Sequence, residues 1–295
     1  MEYKPTMKKE ISVDRAVTIN YLLNNSMYTI GAFASIAALI LFSQDKDFSG
    51  ESAIIFSFII LSVCTILIVV FNLRLSKIWI FWAFSRVENV HELKKRLILL
   101  GEISEKSILF ERIENSTEYD RKYWKLRLKF AREDIFVDDK TIPEETCIYY
   151  SKTMNIMLMV LSIFFFALGS LFLVLQFTPG EKNCMVAIFG VFLLIIAVIL
   201  GYRHGYMKLK NREPQLILNS KGINSNKVGF HKWEEIEKLV IITGRSTGLK
   251  FSHPSGKKRI DISYLKIRKN GLKLSKLLMV YRERNILQNR NNSIR

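Results

Sequence analysis

No Asp, Glu, Lys, Arg or His occurs within four apolar stretches of this 295-residue chain, at 27–43, 52–73, 153–177 and 184–202. Ion-coupled carriers and proton pumps place ionisable groups inside their helices, because those groups bind or relay charge despite the cost of burial. Their absence argues against such a carrier. Proline is missing from the same stretches, so the interrupted helices of many transporters are not expected either. Cysteine is scarce: Cys64, Cys147 and Cys184 have neither metal-ligand nor redox spacing. The chain has no Walker loop, dinucleotide-binding glycine fingerprint, His-Glu-x-x-His or nucleophile elbow. Helix-turn-helix, zinc and RNP signatures are also missing. His231 and Glu234 stand three apart without a second ligand pair. No catalytic residue, cofactor or metal site is therefore expected, and the chain does not read as an enzyme.

What is present is membrane-like. Three of the four stretches reach the roughly 18–20 residues that cross a bilayer as a helix. The shorter stretch 27–43 borrows from Tyr21, Leu22 and Leu23 to span, and the 26 mostly polar residues before it mark a retained anchor rather than a cleaved signal. The stretches pair into two hairpins with short connectors, Gln44 to Glu51 and Phe177 to Asn183. Lys and Arg gather at the opposite ends: Lys8, Lys9, Arg15, Arg74, Lys77, Lys152, Arg203, Lys208, Lys210 and Arg212. Basic residues close to helix ends favour the cytoplasmic side. Both termini and the middle segment are thus expected in the cytoplasm. Gly31 with Ser35, and Ala34 with Ala38, repeat at the four-residue spacing that lets helices approach closely.

The net charge of +17 is unevenly spread: residues 203–295 carry 22 Lys and Arg against 6 Asp and Glu, and 73–153 carry 16 against 14. A tethered basic domain meets the anionic inner leaflet, where each Lys or Arg contributes on the order of 1 kcal/mol. Membrane lipids are the expected partner, with a protein at the cytoplasmic face or a second copy of the chain as further ones; nucleic acid is not expected. Residues 78–84, rich in tryptophan and phenylalanine, read as a helix continuing from the second span and lying along, or leaving, the inner interface.

Between the hairpins, Trp124 to Phe130 alternates strictly between larger apolar and basic residues, which predicts a strand. Ser107 to Ile113 and Asp134 to Asp138 are its expected neighbours, with a helical reading of 119–132 as the alternative. Beyond the second hairpin, short apolar runs punctuated by turns predict strands near 214–218, 223, 228–233, 238–242, 248–252 and 258–263. Helical spacing then returns from Leu272 to Tyr281. Such a set implies a small barrel closed by one helix.

These residues resemble a family. Pro214 to Ile223, then Trp233-Glu234-Glu235-Ile236, is similar to the pleckstrin-homology-like (PH-like) domain of an uncharacterised bacterial membrane-protein family. Ile148 to Lys152 before the second hairpin, and Ile260 to Leu265 before the final helix, fit the same pattern, so the resemblance covers about 140–285. It implies a transmembrane hairpin followed by a PH-like domain. Nothing in 1–139 matches the pattern, so with the apolar stretches above the expected fold is an integral membrane α+β protein with four transmembrane helices as two hairpins, a small α+β middle domain and a C-terminal PH-like β-barrel capped by a helix. The corresponding segments are a cytoplasmic 1–26, hairpin 27–73, middle domain 74–152, hairpin 153–202, PH-like domain 203–285 and disordered tail 286–295. Gly222 is expected at a turn needing positive φ, with Trp233 and Ile236 filling the barrel. Arg245, Lys250, Lys257, Lys258 and Arg259 are the candidate anionic-surface contacts. The implied location is the bacterial inner membrane. The implied role is a non-catalytic adaptor or sensor whose basic domain binds lipid headgroups or a protein. The alternative is a membrane-perturbing effector in bacterial stress or phage defence.

Overall fold

The computed structural model describes residues 10–23, 51–176, 184–242, 247–267 and 272–294, with single positions between 26 and 33. The molecule divides into two compact units, Met1–Ile98 with Ile103–Ile135, and Leu99–Glu102 with Phe136–Arg295. Among the described residues, three helices are long and apolar enough to cross a membrane: Thr65–Arg86, Lys152–Leu175 and Cys184–Lys210. The candidate span 27–43 falls almost wholly outside the described residues.

The first unit is helical. Helix α1 covers 13–23, α2 Glu51–Arg86, α3 Val90–Leu99, α4 Ile108–Glu114 and α5 Arg121–Phe130. At 1.5 Å per residue the 36 residues of α2 extend about 54 Å. The segment 78–84 does continue that helix, and Trp79, Ile80, Ala83 and Phe84 are buried in this unit's core. The strands expected at 107–113 and 124–130 are helices α4 and α5, and 134–138 forms no strand. The alternation was coincidental. On α5, Leu126 is buried with Tyr123 and Phe130 half-buried beside it, at helical spacing, while Leu128 is 53% exposed. Phe84, Phe110 and Phe130 pack edge-on or tilted, with centroids 5.4–5.9 Å apart. Ser107 caps α4 by accepting from the Leu109 amide at 3.3 Å.

The second unit is α+β. Strand β1 (Glu145–Ile148) leads into α6 (Lys152–Leu175) and α7 (Cys184–Val198); a π-helical segment, Ile199–Tyr206, then passes into α8 (Met207–Lys210). Strands β2 (Leu216–Asn219), β3 (Gly222–Ser225) and β4 (Gly229–Lys232) follow, then β5 (Glu237–Ile242), β6 (Gly248–His253), β7 (Gly256–Asp261) and helix α9 (Leu272–Ile294). The strands form two antiparallel sheets, β1-β2-β3-β4 and β5-β6-β7, so the α6–α7 hairpin is an insertion between neighbouring strands β1 and β2. The closed barrel expected from sequence is not formed. Between β4 and β5 the chain makes a 3-10 turn at Trp233–Glu235, which takes it out of the first ladder. A ladder irregularity follows inside β5, between Glu237 and Val240, where Lys238 has a φ of 46°.

Leu216, Leu218, Ile223, Leu249, Phe251, Leu274, Leu278 and Tyr281 are at most 1% exposed and form the core beneath α9. Each such side chain contributes roughly 1.5–3 kcal/mol by leaving water. Trp233 and Ile236 join them at 3% exposure, and the Trp233 Nε1–H donates to the Asn219 carbonyl at 2.8 Å. Gly222 is not at positive φ; its hydrogen faces the His231 backbone carbonyl across the β3–β4 ladder, where a Cβ would collide. Helix α9 continues to Ile294, through the segment read as a disordered tail. Arg284 ties it down, donating to Asp138 Oδ1 and to the Pro143 and Ile142 carbonyls, all at 2.8 Å.

Small residues close the α6–α7 hairpin. A Cβ on Gly169 would lie 2.9 Å from the Gly190 carbonyl oxygen, and one on Gly201 would strike Ser162. Ser162 Oγ donates across the interface to the Ala197 carbonyl at 2.9 Å.

Candidate functional site

Because the hairpin is short and inserted between adjacent strands, its two basic ends meet at one place. Ser151 starts α6 by accepting from the Met154 amide at 3.4 Å, and its own amide donates to the Tyr264 carbonyl at 2.7 Å. The Lys266 amide donates to Tyr149 at 2.6 Å, and Gln215 returns the chain by donating to the Ile148 carbonyl at 2.8 Å. These backbone bonds fix the base of the hairpin to the strands on either side of it.

A cavity of about 590 Å³ opens at this base, lined by Tyr149, Tyr150, Lys152, Asn155, Lys208, Leu209, Asn211 and Arg212. Its size is that of an ordinary ligand site. Three of the lining residues are cationic and none is a carboxylate. Asn155, in the first turn of α6, is fully buried, yet neither its Oδ1 nor its Nδ2 has a hydrogen-bond partner. A buried amide left so is costly, and marks a place for a further donor and acceptor.

One of the cations, Lys208, is positioned by aromatic groups. Lys208 Nζ stands 3.0 Å from the Tyr264 ring centroid and 5.7 Å from that of Tyr150. His204 stacks on the same Tyr264 at 5.6 Å. Burial pushes the Asp261 carboxyl up, but hydrogen bonds from Ser263 and the nearby Lys227 and Lys208 outweigh it and hold Asp261 low. Asp261 thus stays ionised beside Lys208 without lining the cavity. The π-helical turn Ile199–Tyr206 approaches from the second hairpin helix, with Gly205 pressed against Met159 of α6. Such wide turns recur at functional sites.

Of the sequence-derived surface contacts, Lys250 lies directly across the ladder from Arg259, and Lys257 is two residues from Arg259 on β7. All three are exposed on the outer face, because Leu249, Phe251 and Ile260 take the inner one. Lys258 pairs with Phe251 on the opposite side and is only half-exposed. Arg245 lies outside the described residues. The cavity residues escaped attention because Lys152, Lys208 and Arg212 had been read for orientation alone. Their usable signal was the presence of cations at both ends of one short hairpin.

His231, Glu235 and His253 form a group whose ligand atoms lie within 4.8 Å of one another. No family model, curated protein or solved structure matches the chain.

Proposed function

We propose that this chain is a non-catalytic, multi-pass membrane protein whose PH-like domain binds an anionic lipid headgroup in the cavity at the base of the α6–α7 hairpin. The observation that carries the reading is the buried, unpartnered Asn155 beside Lys152, Lys208 and Arg212. A lipid phosphate accepts from all three cations and from the Asn155 Nδ2–H. A hydroxyl on the same headgroup donates to Asn155 Oδ1, which favours a phosphoglycerol over a bare phosphate. Basic pockets between transmembrane helices hold headgroups in this way. A four-stranded and a three-stranded antiparallel sheet with a C-terminal helix support the PH-like assignment. The basic flanks of the spans support a cytoplasmic placement of both termini, in a bacterial inner membrane.

At about 1 kcal/mol per cation, three cations favour an anionic over a zwitterionic lipid by roughly a hundredfold. The test uses the full-length chain in detergent, titrated with phosphatidylglycerol or phosphatidylcholine, with retained lipid counted by native mass spectrometry. Phosphatidylglycerol is retained selectively, and Lys152→Gln with Arg212→Gln, both exposed positions, lowers the preference at least tenfold. Equal retention of the two lipids, or a preference unchanged in the double variant, excludes this site.

A further inference from the structure

The group formed by His231, Glu235 and His253 is assembled from three separate pieces of backbone. His231 comes from β4 in the first sheet, Glu235 from the 3-10 turn after it, and His253 from the end of β6 in the second sheet. His231 is 7% exposed, packed against Phe251 and His253 with ring centroids 5.3 and 4.6 Å away. Its Nε2 is buried and has no hydrogen-bond partner. A buried ring nitrogen without a partner marks a place for a further group.

His253 is held at both ring nitrogens: its Nε2 stands 3.3 Å from Glu235 Oε2, and its Nδ1 accepts from the Ser255 amide at 3.1 Å with Ser255 Oγ 2.8 Å away. Two bonds of about 2.0–2.1 Å at a tetrahedral angle place ligand atoms about 3.3–3.4 Å apart. The Glu235–His253 pair already has that separation, and binding draws the rest of the group in from within 4.8 Å.

We propose that His231, Glu235 and His253 bind a divalent transition metal of the zinc class, with two imidazole nitrogens and one carboxylate oxygen as ligands. Two imidazoles with a carboxylate suit zinc, whereas magnesium and calcium prefer all-oxygen sets. On binding, the metal replaces the proton on His253 Nε2; that proton moves to Nδ1, which gives up the bond it accepts from the Ser255 amide and donates to Ser255 Oγ instead. Three protein ligands leave a fourth position for water or for a donor from a partner. The bound ion joins the two sheets at a corner where the described residues have no strand-to-strand ladder. It spans the break that the 3-10 turn introduces.

The experiment uses tag-free full-length protein in detergent, stripped with a chelator and titrated with Zn²⁺ alone against a chromophoric competitor. One Zn²⁺ per chain is expected. Glu235→Gln and His253→Gln each weaken it at least tenfold, and together abolish it; both positions are partly exposed, and circular dichroism reports their folding. His91→Gln, in the other unit, leaves binding unchanged. Co²⁺ in place of Zn²⁺ gives four-coordinate d–d absorption without a thiolate band. Absence of stoichiometric Zn²⁺ in the wild type, or equal affinity in the wild type and the folded double variant, overturns the site.

Discussion

Position 222 accepts no side chain, because a Cβ there would meet the His231 carbonyl across the β3–β4 ladder. The obstacle is backbone and cannot rotate away, so Gly222→Ala costs about 1–3 kcal/mol of overpacking. Gly229 makes the contrast: its φ is +85° and nothing lies within 4 Å of a Cβ, so Gly229→Ala is limited to the conformational cost of about 1–2 kcal/mol. Thermal unfolding of the two variants reports both costs. A single carboxylate supplies a pH signature. Asp139 is held well below the usual carboxylate range, first by the hydrogen bond from Lys276 and then by those from Thr141. The distances are 2.7 Å from Lys276 Nζ and 2.6 Å from Thr141 Oγ1. Its folded-state pKa is depressed, so its contribution is full above the unfolded value near 3.9 and is lost as pH falls toward the lower folded value. The melting-temperature gap between wild type and Asp139→Asn is therefore constant from about pH 8 to 5 and narrows below about pH 4.

Elements show where periodicity was a sufficient guide. Strands β2 to β7 follow their runs of alternating or apolar residues, with turns at the polar and glycine-rich breaks, and α6 and α7 follow stretches without charge. Helix α5 was misread because Trp124 to Phe130 satisfies two periods at once, and the choice is made by what lies opposite. Phe84 and Phe110 meet Phe130, while Phe81 meets Tyr123 at 5.4 Å, and all of these contacts need one helical face. Helices α6 and α7 depend on glycines whose importance the sequence barely signals. Gly169 and Gly190 oppose each other backbone to backbone. Gly169→Val pushes the helices apart and lowers stability by about 1–3 kcal/mol, measured as earlier unfolding when SDS is titrated into the detergent-solubilised chain. Ala at the same position has a smaller effect, since a single methyl needs only a slight separation.

On the scale of the whole chain, the proposed lipid preference rests on charge that helix ends bring together, and it carries an ionic-strength signature. Exposed Lys152 and Arg212 are screened within a Debye length of about 8 Å at physiological salt. The selectivity for phosphatidylglycerol accordingly falls between 50 mM and 500 mM salt, whereas insertion of the apolar helices does not. Composition and hydropathy by themselves determined that the chain contains helices able to cross a membrane and that its β-rich part is short-stranded and basic. Those properties depend on runs of neighbouring residues, which a sequence records directly. Both candidate sites are different in kind. Lys152 and Arg212 are 60 residues apart in the chain, and share a cavity because α6 and α7 form an insertion between two paired strands. His231 and His253 come from different sheets, and they meet Glu235, rather than the Glu234 that spacing offered, at the corner between those sheets. Only the tertiary structure decides such juxtapositions, because strand pairing and chain reversal bring distant residues together at a register that no local period encodes.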